Sequence, residues 1–142
     1  MRYLVGVAAL ALTACSGEAP SEPMEAPIEA GVWIDGAQSG LCIGDGGEAA
    51  FILYGDEGEA NCMAEGRVNR LAGDGALAFV PRGDEQCRIG LHEEGDTITL
   101  GSGGSAACSY YCGGDVTLED RSLSRSDATD RALVDPAGDS IC

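Results

Sequence analysis

Lysine is absent from this 142-residue chain, and histidine occurs once. Eight arginines stand against 24 acidic residues, so the formal net charge is −16 at pH 7. Such a surface repels phosphate backbones and anionic lipid headgroups, which argues against nucleic-acid binding and against peripheral membrane binding. The charge would attract a cationic protein partner, although it does not by itself establish a recognition surface. The alternative is that the acidity only keeps the protein soluble.

The N-terminal apolar run is too short to span a membrane as a helix, which takes about 20 residues. It covers residues 3–12, follows Arg2, and is succeeded by the small residues Thr13 and Ala14. A short basic region, an apolar region and small residues before a cut are the layout of a secretory signal peptide.

The sequence Leu12-Thr13-Ala14-Cys15 resembles the lipobox of bacterial lipoproteins. The resemblance implies cleavage before Cys15, diacylglycerol on its sulfur, and an acyl chain such as palmitate on its new amino group. Several acyl chains anchor a protein stably, whereas one chain binds marginally. Ser16 follows where inner-membrane retention signals place Asp, which favours an outer-membrane protein facing the periplasm. The alternative is an ordinary secretory signal with Cys15 in a disulfide.

We therefore predict three segments: a lipoprotein signal peptide at 1–14, the lipidated Cys15 with a tether at 15–30, and a folded domain at 31–142. The tether is rich in Pro and Glu, with Met24 and Ile28 as its bulky apolar residues. It cannot bury enough surface to offset the entropy of ordering. The remaining length is typical of one domain.

Six cysteines remain after Cys15 is assigned to lipid, an even number in an oxidising compartment, which predicts three disulfides. The domain has few large apolar residues and many glycines, so cross-links of about 2 to 4 kcal/mol each would matter to its stability. Sequence alone does not fix the connectivity. A nearest-neighbour hypothesis pairs Cys42 with Cys62, Cys87 with Cys108, and Cys112 with Cys142.

A zinc site is the alternative use of these thiols, because Cys108 and Cys112 lie close in sequence. With one histidine in the chain, the ligands would be mostly thiolates, which an oxidising compartment converts to disulfides. We predict no metal and no cofactor.

Apolar residues recur mostly with period two, which predicts a mainly β domain, either a small antiparallel sandwich or a barrel. The clearest hairpin joins residues 87–91 to 98–100 through the turn 93–96 and places Cys87 on the buried face. Gly-Asp turns recur between the other segments. The further predicted strands are 32–35, 41–43, 49–54, 62–71, 76–80, 107–111 and 116–118.

One short helix is predicted near the C-terminal end. Ser124 and Asp127 match a capping box, Ala128 and Ala132 lie on one face, and the Asp-Pro pair at 135–136 ends it.

The acidic turns could supply oxygen ligands for calcium, but they do not have the spacing of an EF-hand loop. Tight turns select glycine and aspartate for their own geometry, which is the interpretation we favour. The same holds for the Arg-Gly-Asp sequence at 82–84. The acidic residues concerned are Asp45, Glu48, Asp56, Glu57 and Glu59.

Catalysis would depend on His92, which the hairpin places on a polar strand face. The sequence contains no GxSxG nucleophile elbow and no phosphate-binding or dinucleotide loop. We predict a non-catalytic protein, with an envelope hydrolase as an alternative.

Four aromatic residues are candidates for binding: Trp33, Tyr54, Tyr110 and Tyr111. Tyr110 and Tyr111 are adjacent, so an extended strand would point them to opposite faces. On an acidic, disulfide-linked scaffold, exposed aromatics could form a recognition patch. The alternative is that these rings pack against the disulfides.

In size, charge and predicted location the chain is similar to the periplasmic lysozyme inhibitors, small β-barrels that act on a cationic enzyme. The resemblance implies a binding or inhibitory module for a cationic protein such as a lysozyme. The inhibitory Ser-Gly-x-x-Tyr segment of those proteins is not evident, because Ser39-Gly40 is followed by Leu41-Cys42-Ile43. The resemblance is therefore one of size, predicted location and charge, and inhibition is implied only by analogy. The oligomeric state is left open.

Overall fold

The computed structural model describes residues 28–56, 58–71, 73, 75–101, 106–127 and 133–142. The predicted signal peptide, Cys15 and the tether up to residue 27 lie outside this part. The described residues form eight strands and one short 3-10 helix, Cys108–Tyr111. The strands are β1 Gly31–Asp35, β2 Ser39–Ile43, β3 Glu48–Tyr54, β4 Asn61–Arg70, β5 Leu77–Pro81, β6 Ile89–Glu94, β7 Thr97–Leu100 and β8 Ser122–Arg125.

The strands form a closed antiparallel barrel in which each strand pairs with the next and β8 pairs with β1. The predicted mainly β fold with three disulfides is confirmed, in its barrel form. Successive loops alternate between the two ends of an antiparallel meander. We call the end with loops 36–38, 55–60, 82–88 and 101–121 the upper end. The lower end carries loops 44–47, 71–76 and 95–96.

Period-two alternation located β1 to β7, and the predicted hairpin is β6 and β7. Strand β6 continues to Glu94, so the turn is shorter than predicted and contains Gly95 and Asp96. Gly95 has φ of +59°. Two-residue hairpin turns need such a positive φ, which glycine adopts without strain.

Three predictions after residue 100 are wrong. Residues 107–111 are not a strand, since 108–111 form the 3-10 helix, and residues 116–118 are irregular. Ser124 does not cap a helix, because it lies in β8 and pairs with Thr97. Ala128 and Ala132 of the predicted helix lie outside the described residues.

The barrel interior is filled by large apolar side chains. Trp33, Phe51 and Phe79 are essentially inaccessible to solvent, and the two phenyl rings meet edge to face with centroids 5.0 Å apart. Eight-stranded barrels are just wide enough for side chains to fill them. At Gly66 the carbonyl oxygen of Val80 occupies the place of a Cβ, so this tight approach of β4 and β5 requires glycine.

An arginine lies at each end of this interior: Arg121, which directly precedes β8, and Arg125, the last residue of β8. Arg121 at the upper end binds Asp35 Oδ2 through Nη2 (2.7 Å) and Nε (3.1 Å). Arg125 at the lower end lies over the Trp33 ring, 5.1 Å from its centroid, and donates to the carbonyl oxygen of Ala30. The indole N–H of Trp33 is buried without an acceptor among the described residues, so packing and this cation–π contact hold the ring.

A second layer covers the outside of β2 and β3. Cys42 and Ile52 point away from the interior, yet Cys42 is 8 % exposed and Ile52 is inaccessible. Residues 133–142, which we call the outer hairpin, lie on this face, because a Cβ on Gly40 would meet the Leu133 side chain. Strands covered on both faces are near-continuously apolar, as β2 and β3 are.

Three disulfides join the six cysteines: Cys42–Cys142, Cys62–Cys112 and Cys87–Cys108. The predicted Cys87–Cys108 pair is confirmed. The predicted pairs Cys42–Cys62 and Cys112–Cys142 are wrong. Cys62 points into the interior at the upper end of β4, whereas Cys42 points outward near the lower end of β2, so the two cannot meet.

Candidate functional site

Side chains fill the interior of the barrel, so a candidate site must lie on its surface. The upper end carries the best candidate. Its centre is the 3-10 helix with the cysteine that follows it, residues 108–112, which we call the tyrosine loop. A 3-10 helix uses tight i to i+3 bonds and occurs in short pieces. Here Cys112 N donates to Ser109 O (3.1 Å) and Ser109 Oγ donates to Ala106 O (2.7 Å).

Two disulfides attach the tyrosine loop to two different parts of the barrel. Cys108 bonds to Cys87 in the loop before β6, and Cys112 bonds to Cys62 at the start of β4. Gly113 N also donates to Asn61 O (2.8 Å). Because both ends of the loop are fixed, its backbone would lose little conformational entropy in any contact with a partner.

Asp84 links the tyrosine loop to the loop between β5 and β6. Its Oδ1 accepts from the backbone N–H groups of Gln86 (3.0 Å) and Cys87 (3.3 Å), and its Oδ2 accepts from the Tyr111 hydroxyl (3.0 Å). This Asp is the last residue of the Arg-Gly-Asp sequence. Its carboxylate is therefore engaged by other groups of the protein. The turn predicted at 82–84 is present, and Asp84 N donates to Pro81 O (3.1 Å) across it.

The two tyrosines of the loop have different environments. Tyr111 is half-buried and packs against the core, whereas Tyr110 is 86 % exposed. Their rings meet edge to face with centroids 5.6 Å apart. Desolvation and the hydrogen bond to the Asp84 carboxylate raise the pKa of Tyr111 above its ordinary value of 10.0. Tyr111 thus supports the position of Tyr110, which projects into solvent.

Carboxylates surround this end of the barrel. A surface cleft of about 690 Å³ runs between the β3–β4 loop and the segment after the tyrosine loop. Arg121 lines it as well, but the guanidinium is already bound to Asp35. Exposed acidic residues of the upper end are Asp56, Glu59, Glu85, Asp115, Glu119 and Asp120. An aromatic ring with a carboxylate rim is suited to a cationic partner.

The structure separates the four predicted binding aromatics. Trp33 is 1 % exposed and part of the core, so its assignment as a binding residue is wrong. Tyr54 ends β3 half-buried, and its backbone N–H donates to Ser39 Oγ (2.9 Å). Of the four, Tyr110 alone presents a ring that is mostly open to solvent, so the recognition hypothesis now depends on it.

His92 lies on the outer face of β6, exposed, and is paired with Thr99 in the register of β7. Thr99 Oγ1 lies 3.1 Å from Ser122 Oγ on β8. This row of polar side chains lies on an open, exposed strand face. Among the described residues, no three His, Cys, Asp or Glu side chains are grouped so that they could hold a metal ion. Glu57, one of the predicted calcium candidates, lies outside the described residues.

Sequence reasoning missed Asp84 and β8. The signal for Asp84 was its position two residues before Gln86 and three before the buried Cys87, a spacing typical of an Asx turn. Within the part of the chain that the structure describes, there is no helix with the length and apolar character needed to cross a membrane. No protein-family model matches the chain, and neither curated proteins nor solved structures provide a match.

Proposed function

We propose that this chain is a lipid-anchored protein of the bacterial cell envelope whose barrel is a non-catalytic binding module for a cationic protein. The observation that carries the binding proposal is Tyr110, 86 % exposed on a loop that two disulfides hold. Exposing a large aromatic ring to water is unfavourable unless a partner covers it, and rigid tyrosines are common centres of interfaces.

The charge supports the same proposal. Carboxylates at the upper end would attract a basic surface and accelerate encounter, and the effect would weaken with salt. A partner arginine or lysine placed over the Tyr110 ring would gain a cation–π contact beside these carboxylates. A small basic enzyme such as a lysozyme has the chemistry that this surface requires, and inhibition of that enzyme would be one consequence of binding.

The binding proposal is tested with a lysozyme as the basic probe, titrated against the barrel at low and at high ionic strength. We expect Tyr110→Ala to weaken binding by about 2 kcal/mol, roughly thirtyfold, as for a central interface residue. Met63→Ala is the matched control, because Met63 is a large apolar side chain, 38 % exposed, on the barrel wall. Equal binding by Tyr110→Ala and wild type would contradict the proposal, and a cell-wall lysis assay would report inhibition.

The anchoring proposal is supported by the Leu12–Cys15 sequence and by three disulfides, which persist outside the cytoplasm. The absence of lysine gives it a sharp test. A mature chain that begins at an acylated Cys15 has no primary amine, so membrane-extracted protein should resist amine-reactive labels and carry a lipid mass on its first peptide. A labelled N-terminus, or a retained leader, would contradict it.

A further inference from the structure

The three disulfides differ in their access to solvent. Cys62, Cys87 and Cys108 are at most 2 % exposed, so the two bonds that hold the tyrosine loop each have at least one deeply buried sulfur-bearing residue. Cys142 of the third bond is exposed and its partner Cys42 is 8 % exposed, whereas Cys112 of the Cys62–Cys112 bond is half-buried. Exposed disulfides are the ones that exchange with thiols, whereas buried ones react only after local opening of the structure.

The outer hairpin, which the exposed bond holds, is folded largely on itself. Its described backbone hydrogen bonds join its own residues: Ile141 N to Leu133 O, Asp135 N to Asp139 O, and Gly138 N to Asp135 O, each 2.9 Å. Asp135 Oδ1 also accepts from two amides of the turn, at 2.8 and 2.9 Å. These backbone bonds therefore hold the hairpin together and do not attach it to the barrel.

Its attachment to the barrel has two parts. One is the side chain of Leu133, 2 % exposed, which fills the space above Gly40. The other is the covalent bond between Cys142 and Cys42. The eight strands close the barrel without contribution from the hairpin.

A surface cleft leads to this disulfide. It has a volume of about 430 Å³, and both Cys42 and Cys142 line it together with Val32, Ala50 and Ile141. Glu65 and Arg82 stand at its far side and pair with each other at 3.5 Å, both largely exposed. A thiol carried on an extended, mainly apolar segment has room to reach the sulfurs through this cleft.

We propose that Cys42–Cys142 is a thiol–disulfide exchange site, at which a dithiol reductant releases the outer hairpin from an intact barrel. A thiolate of the reductant attacks Cys142 Sγ, the bond between the two cysteines breaks, and Cys42 leaves as a thiolate that takes up a proton. The second thiol of the reductant attacks the mixed disulfide and expels Cys142. Two electrons and two protons pass from the dithiol to the cystine, and the reductant becomes a disulfide.

Release changes the surface that the protein presents. The outward side chains of Ala50 and Ile52, buried in the oxidised form, become accessible on the face of β3. The reduced form therefore offers an apolar strip that the oxidised form hides. This inference is independent of the proposed binding by Tyr110, which lies on the tyrosine loop held by the other two disulfides.

The test exposes the natively folded protein to graded dithiothreitol, quenches it in acid, alkylates free thiols and maps them by peptide mass analysis. We expect Cys42 and Cys142 to become alkylated together, at least about tenfold faster than the other four cysteines, because the latter need local opening. Equal rates for all six, or earlier reaction of Cys87 and Cys108, would overturn the proposal.

A second measurement keeps folding separate from exchange. The species alkylated only at Cys42 and Cys142 should retain the circular dichroism of the β-barrel, while hydroxyl-radical oxidation of Leu133 and Ile52 increases several-fold. The variant Cys42→Ser with Cys142→Ser should show the same footprint without reductant. Loss of the sheet signal in either species, or an unchanged footprint in both, would overturn the proposal.

Discussion

The tyrosine loop and the outer hairpin are both short segments that lie against the barrel, but they are attached in opposite ways. The tyrosine loop is fixed at both ends by disulfides, each with at least one cysteine that is at most 2 % exposed, and the Tyr111–Asp84 hydrogen bond adds a third attachment. The outer hairpin has one disulfide, which is exposed, and one buried side chain. The number and burial of attachments, rather than disulfide bonding as such, decide which segment is rigid and which is releasable.

The largest expected effect on binding follows removal of one disulfide of the tyrosine loop. Cys87→Ala with Cys108→Ala should lower the free energy of unfolding by about 3 kcal/mol, for a pair 21 residues apart. It should also weaken binding to the basic probe, by up to the roughly thirtyfold expected for Tyr110→Ala, because Tyr110 would lose its fixed position. Urea denaturation and the binding titration measure the two effects.

The matched control removes the other kind of attachment. Cys42→Ala with Cys142→Ala also relieves a constraint on the unfolded chain, and because this pair is 100 residues apart the free energy of unfolding should fall by about 4 to 5 kcal/mol. Binding by the folded fraction should be unchanged. If both double variants lose binding equally, the two segments are coupled and the comparison fails.

A smaller effect is expected from Leu133→Ala, which removes the buried contact of the outer hairpin. The lost burial should lower the free energy of unfolding by about 2 kcal/mol, at the low end for buried leucines because the hairpin can readjust. Reduction of Cys42–Cys142, followed by alkylation, should become faster. Val134→Ala is the control, since Val134 is 39 % exposed and should change stability by less than about 0.5 kcal/mol. Equal effects of the two variants would mean that Leu133 does not hold the hairpin.

The smallest effect concerns Tyr111→Phe, which keeps the ring and removes its hydrogen bond to Asp84. We expect a loss of about 1 kcal/mol near neutral pH. The pKa of Tyr111 is raised in the folded state by desolvation and by Asp84, so its contribution is fully present below pH 10.0 and is lost as the pH rises through the folded-state pKa. The stability difference between wild type and variant should therefore narrow above pH 10. A constant difference up to strongly alkaline pH would contradict this assignment.

Much of the barrel could be predicted from sequence because its walls obey simple alternation. In β4, buried Cys62, Ala64 and Val68 alternate with exposed residues that are polar apart from Met63, and Gly-Asp turns mark the strand ends. Strand β8 escaped prediction because it has one inward apolar residue, Leu123. The residues two positions before and after it, Arg121 just ahead of the strand and Arg125 at its end, are arginines. Arginines at inward positions are explained only once Asp35 and Trp33 are known to lie opposite them.

The errors at the candidate site share one cause, which is that contacts distant in sequence override local pattern. The segment 107–111 alternates like a strand. However, its cysteine, Cys108, and the following Cys112 are bound to two separate parts of the barrel, which bends the segment into a 3-10 helix. The nearest-neighbour hypothesis failed for Cys42 and Cys62 because these two cysteines lie on opposite faces and near opposite ends of the sheet. Tyr110 was among the predicted binding residues, but its exposure depends on this bend.

The most direct test of the account is zero-length carbodiimide cross-linking of the barrel to a lysozyme, followed by mapping of the linked carboxylates. Because the chain contains no lysine, its carboxylates can be linked only to amines of the partner or to a free N-terminus. We predict links at the upper end, on Glu59, Glu85 and Asp115, that disappear with Tyr110→Ala. Links confined to Asp45 and Asp96 at the lower end or to Asp139 of the outer hairpin, or a pattern unchanged by Tyr110→Ala, would contradict it.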